Sequence, residues 1–120
     1  MSNLVVSNIS DGTTTVGTGY VVNGSAKAWC KLNMTGAAAI TNSFNISSIS
    51  DLGVGDFTAS FSSAFSSVNY TPTIGNYAAA LGTLIVSDNT ASIANVSNYG
   101  DAGTRTDSAK TYFATHGDLA

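Results

Sequence analysis

Ser43–Ser62 reads SFNISSISDLGVGDFTASFS, and its second half alternates strictly. Phe57, Ala59 and Phe61 fall on one side of the chain, with Thr58, Ser60 and Ser62 on the other. A period of two is the signature of a strand with one buried and one wet face. In the first half Phe44 and Ile46 share a face. The Ser47-Ser48 step then puts Ile49 out of phase, which predicts a bulge or a twist. Between the halves, Asp51-Leu52-Gly53-Val54-Gly55-Asp56 holds two glycines able to supply the positive φ angles of a hairpin loop. The stretch predicts a β-hairpin from Phe44 to Phe61, with Phe44, Phe57 and Phe61 in the core.

The composition agrees with that hairpin. Ser, Thr, Asn and Gly make 55 of the 120 residues, while Glu and Gln are absent. Those four residue types suit strands and turns. The Leu, Glu, Lys, Gln and Arg that long helices draw on are scarce. One domain with a modest, Ala-rich core is expected. A net charge of −3 with four basic residues argues against nucleic-acid binding, which needs a Lys/Arg patch. No run of apolar residues is long enough to span a membrane as a helix. Residues 1–8 lack the basic and apolar regions of a signal peptide, so synthesis and folding in a cytoplasm are expected. The single Cys30 fits that compartment and reads as a small buried hydrophobe. Six Asn-x-Ser/Thr triplets are explained by the abundance of those residues rather than by glycosylation.

Outward from the hairpin, Leu4–Ile9 predicts a first strand and Asp11-Gly12 a turn. Thr13–Thr18 is polar and loose. A strand near Tyr20–Val22 and a turn at Asn23-Gly24 are expected next. Ala26–Leu32 predicts a strand with Ala28, Cys30 and Leu32 on one face and Lys27, Trp29 and Lys31 on the other. Ala37–Ile40 is a further candidate, and Pro72 marks a strand edge or end. Ile74–Asp88 predicts one or two strands broken near Gly82. Ala91–Val96 and Thr111–Thr115 follow, with residues 99–108 as a Gly-rich loop between them. The total is about eight to ten short strands, an all-β, single-domain antiparallel sandwich or barrel over residues 1–120.

Several of these segments together resemble a domain family of marine bacteriophage virions. They are Lys27-Ala28-Trp29, the Ser43–Ile49 strand, the Gly53-Val54-Gly55-Asp56-Phe57-Thr58 turn, the strand end Phe61–Ala64 and the terminus Gly117-Asp118-Leu119-Ala120. The resemblance is dense over roughly a third of the chain. It departs at Cys30–Met34, where the family usually carries a Val-Asn-Phe-Asn-Gly type run. It implies a virion structural or tail-fibre-type protein, assembled as a homotrimer on a phage capsid or fibre protein.

Chemistry is sparsely encoded. His116 is the lone imidazole and no nucleophile-elbow pattern surrounds a serine. Without Glu, paired-carboxylate hydrolysis would need two Asp, and none sits in a recognisable motif. One Cys and one His do not make a zinc site. Calcium at Asp51, Asp56 or Asp101 has no matching loop behind it. No catalytic residue, metal or cofactor is expected. Trp29, between Lys27 and Lys31, has two readings. It is a stacking platform for a ligand, or it packs at a subunit interface with the lysine stems alongside. Its place inside the family motif favours the second. Tyr99 and Arg105, in the Gly-rich loop, are candidate contact residues at an exposed tip.

The resemblance implies a bacteriophage structural protein at the virion surface, made in the host cytoplasm. If residues 1–120 are the whole product, a trimeric capsid decoration or cement knob is expected. A tail-fibre tip binding a host receptor or glycan is the alternative, and a secreted carbohydrate-binding module a weaker one. The N-terminal strand edge is expected to meet the particle.

Overall fold

The computed structural model describes residues 1–77, 83–100 and 103–120. Among them are ten strands and one short helix, arranged as two four-stranded antiparallel sheets and a separate two-stranded ribbon. The strands are β1 (Asn8–Ser10), β2 (Thr15–Gly17), β3 (Ala28–Asn33), β4 (Ala39–Phe44), β5 (Ile46–Gly53), β6 (Asp56–Phe61), β7 (Thr71–Tyr77), β8 (Thr83–Thr90), β9 (Ile93–Tyr99) and β10 (Lys110–His116). The helix, α1, spans Thr18–Gly24. One sheet runs β4-β3-β10-β7 and the other β5-β6-β9-β8. They pack together as an all-β sandwich. Gly82, the expected break, and Asp101 lie outside the described residues.

The core forms where the alternating faces of the two sheets meet. Ala28, Cys30 and Leu32 of β3 and Phe113 of β10 face Phe57, Ala59 and Phe61 of β6 and Ala94 and Val96 of β9, all buried. Ile46 and Ile49 join them although three positions separate them, because the register shifts between Ile46 and Ser48. That shift is the bulge expected at Ser47-Ser48. Among the described strands β7 is an edge strand paired with β10, the kind of position where a proline's missing N–H is tolerated, and Pro72 sits on it.

Phe44 corrects the expected core: it is 55% exposed. The reason is Asn45, the one non-glycine residue with positive φ (55°) among those described. There the chain leaves the first sheet and enters the second, so Phe44 and Ile46 belong to different sheets. Asn tolerates this left-handed corner, and its amide fixes the geometry. Nδ2 donates to the carbonyls of Lys27 and Ser63 at 3.0 Å each, and Oδ1 accepts from the Ser63 N–H at 2.6 Å. The alternation was broken by a corner as well as by the bulge.

One end of the sandwich is closed by aromatic rings. Phe65 packs edge-on to Phe61 (4.9 Å between centroids) and stacks on Tyr70 (4.5 Å). The Tyr70 hydroxyl donates to the Ile93 carbonyl at 2.8 Å. The C-terminal segment lies across this plug: Ser66 N–H bonds Asp118 O (2.8 Å) and Ala120 N–H bonds Ala64 O (3.0 Å). A Cβ on Gly117 would come within 2.8 Å of Tyr70 Cβ, so only glycine fits there.

The first 25 residues depart most from expectation. β1 is confined to Asn8–Ser10 because its partner β2 ends at Gly17, where α1 begins; Thr18 N–H (2.9 Å) and Oγ1 (3.1 Å) still reach the Ser7 carbonyl, but no described strand pairs beyond it. Leu4–Ser7 is therefore not strand. Tyr20–Val22 and Asn23-Gly24 lie within α1 rather than in a strand and a turn. Strand preference in Tyr and Val reflects fit to a half-buried sheet surface, and here all three side chains stay exposed. The expected Asp11-Gly12 turn is present, with Asp11 Oδ1 accepting from Thr13 and Thr14 N–H at 2.9 and 2.7 Å.

Candidate binding face

The motif residues around the hairpin serve the fold. Gly55, at φ +74°, lets the β5–β6 turn nest against the chain around residues 98 and 104–107. Its N–H donates to Asp107 Oδ1 at 2.7 Å, and its carbonyl accepts from Asn98 N–H at 2.7 Å. A Cβ there would stand 2.6 Å from Asn98 O and 2.7 Å from Thr106 N. Asn98, fully buried, donates through Nδ2 to Thr106 O at 2.6 Å. Asp56 ion-pairs with Arg105, whose guanidinium lies 5.9 Å from the Tyr99 ring. Tyr99 and Arg105 are thus braced against the sandwich as part of this knot. Hydrogen bonding to Tyr99 heads the influences that raise the Arg105 pKa. Gly53 (φ +125°) completes the turn, and its N–H meets Asp51 Oδ1 at 2.9 Å.

Asp51 also accepts from Ala38 N–H at 3.3 Å. The carboxylates suggested for calcium are thus engaged by the chain itself at Asp51 and Asp56. No group of three or more His, Cys or acidic side chains able to hold a metal occurs among the described residues. Cys30 is buried and desolvation pushes its thiol up to about 12, so it is an inert packing residue.

The surface with ligand-like chemistry is the outer face of the β4-β3-β10-β7 sheet. Residues opposite one another across antiparallel strands share a face. Trp29 pairs with Phe44 and with Ala114, which pairs in turn with Thr73. The next row joins Asn42, Lys31, Tyr112 and Gly75, and beyond it Lys110 pairs with Tyr77. Four aromatic rings therefore line one face and stay open to solvent: Trp29 (37% exposed), Phe44, Tyr112 (43%) and Tyr77 (70%). Lys31 Nζ stands 6.0 Å from the Tyr112 ring centroid and Lys110 Nζ 5.2 Å from that of Tyr77. Trp29, Lys31, Thr73, Gly75, Tyr112 and Ala114 border a shallow depression of about 500 Å³. Its floor is low because Gly75 and Ala114 carry almost no side chain.

Lys27 plays another part. Its ammonium donates to the carbonyls of Val22 and Ser25 and to the Ser25 hydroxyl, tying the end of α1 to the start of β3. Sequence reasoning picked out Trp29 and the flanking lysines but missed Phe44, Tyr77, Lys110 and Tyr112. The Lys110-Tyr112-Ala114 alternation was a local signal for part of the face; the pairing that brings it beside Trp29 is long-range.

Comparison with known proteins returned no match from family models, curated proteins or solved structures.

Proposed function

We propose that this protein is a non-enzymatic structural component of a bacteriophage virion, displayed at the particle surface as a trimeric decoration knob. The observation that carries the reading is the N-terminal arm. No residue from 1 to 25 is buried, and Leu4, Val5, Val6, Ile9, Val16, Tyr20, Val21 and Val22 all stand exposed. A ribbon of three-residue strands and a seven-residue helix lacks the core that stabilises such elements in water. An arm of this kind gains its apolar contacts by association. The resemblance to virion domains supplies the phage context and the three-fold stoichiometry. Its motif residues form a corner, a turn and a hydrophobic core, which suits a scaffold more than a catalyst.

Sedimentation velocity at micromolar concentration tests the arm. The intact chain is expected to run as a trimer and a chain lacking residues 2–24 as a folded monomer. A monomeric intact chain would count against off-particle assembly, and normal loading of the truncated chain onto particles would remove the arm from the attachment role. Imaging of purified particles separates capsid from tail placement. A tail-fibre tip is the second reading, favoured by the uncovered aromatic face opposite the core.

A further inference from the structure

The four strands β4-β3-β10-β7 contain no carboxylate, although the chain carries seven. Their charges are Lys31 and Lys110, both beside exposed aromatic rings on the outer face. A protein of net charge −3 thus presents one locally cationic, aromatic surface. Each feature of that surface selects a property of its ligand. The exposed Trp29 and Tyr112 rings offer π faces to apolar C–H groups, and the Gly75–Ala114 floor allows a flat ring to approach. Asn42, Thr73 and the tyrosine hydroxyl offer hydrogen bonds to hydroxyls. The lysines call for negative charge.

We infer that the outer face of this sheet binds an anionic polysaccharide, a uronic-acid polymer whose pyranose rings stack on Trp29 and Tyr112 while its carboxylates meet Lys31 and Lys110. The inference rests on the reading above only in that the N-terminal arm, and not this face, carries assembly. The same face of a second copy offers no carboxylate to Lys31 and Lys110, so it complements them less well than an anionic ligand does. Two lysines also release few counterions, too few for tight binding to a nucleic-acid backbone.

Trp29 is the only tryptophan, so its fluorescence reports directly on the face. Titration with polygalacturonate and with alginate should change the Trp29 emission, and neutral dextran should not. The response should weaken as salt is raised. Tyr112→Ala and the double variant Lys31→Gln/Lys110→Gln should each weaken binding by about tenfold or more. Tyr20→Ala, on the arm, should bind normally. Affinity electrophoresis extends the test to Trp29→Ala, which should migrate unretarded. Unchanged emission with both uronate polymers, an equal response to dextran, or loss of binding in Tyr20→Ala would overturn the assignment. So would tighter binding of single-stranded DNA through the same residues. Sedimentation of Trp29→Ala separates the two proposals: self-association lost with Trp29 would mean that the face is an assembly surface. A trimer that ignores the polymers defeats the polysaccharide alone, whereas a monomer that binds them defeats the trimer alone.

Discussion

Gly55 and Asn45 show how single residues set this fold's geometry. Both sit at positive φ, but for different reasons: Gly55 lacks room for a Cβ, and Asn45 uses its amide to tie two sheets together. Gly103 provides the control, with a similar φ of 69° and open space around its missing Cβ. Gly103→Ala should therefore cost only the left-handed strain, about 1–2 kcal/mol. Gly55→Ala adds a collision with two backbone atoms that a turn of side chain cannot relieve. A loss of roughly 3–5 kcal/mol is expected from the two effects together. Urea melts of the two variants check the difference; equal losses would mean the turn yields easily.

At the scale of the element, the β5–β6 hairpin separates what was legible in the sequence from what was not. Phe57, Ala59 and Phe61 alternate with polar neighbours, and burial follows that period because β6 is an inner strand of its sheet. The bulge at Ser47-Ser48 was legible too, since it displaces Ile49 by one position. Phe44 was not, because a corner at Asn45 moves the chain between sheets without changing the apolar pattern. Tyr20–Val22 was not legible either: strand preference rests on fit to a half-buried sheet surface, and these side chains stay exposed in α1. The binding face was half legible. Trp29 and Lys31 are neighbours in sequence, whereas Tyr112 and Tyr77 reach them only through long-range pairing. Truncation tests the corrected assignment. Phe61→Ala, 7% exposed in the aromatic plug, should cost about 3–5 kcal/mol. Phe44→Ala, on the solvent side, should change stability by less than about 1 kcal/mol. The reverse order in denaturant melts would restore Phe44 to the core.

For the whole molecule, the scarcity of charge makes acid–base behaviour unusually simple to read. Burial raises the pKa of two core groups, Cys30 from 9.0 to about 12 and Tyr70 from 10.0 to about 12. Each must ionise more readily in the unfolded chain than in the folded one. The folded state therefore holds more protons than the unfolded state once the pH passes the unfolded values. Their contribution is fully present below pH 9 and is lost as the pH rises towards 12. Thermal melts should show a Tm that falls across that window. Cys30→Ala removes the earlier part of the fall, starting near pH 9. Tyr70→Phe removes the later part, beginning near pH 10. That second variant also loses the bond from Tyr70 to the Ile93 carbonyl, so its Tm at neutral pH should drop by the equivalent of about 1 kcal/mol. Lower neutral stability combined with a flatter alkaline limb is a pairing that simple loosening of the fold would not give. Parallel alkaline limbs in wild type and both variants would show that neither group governs the loss.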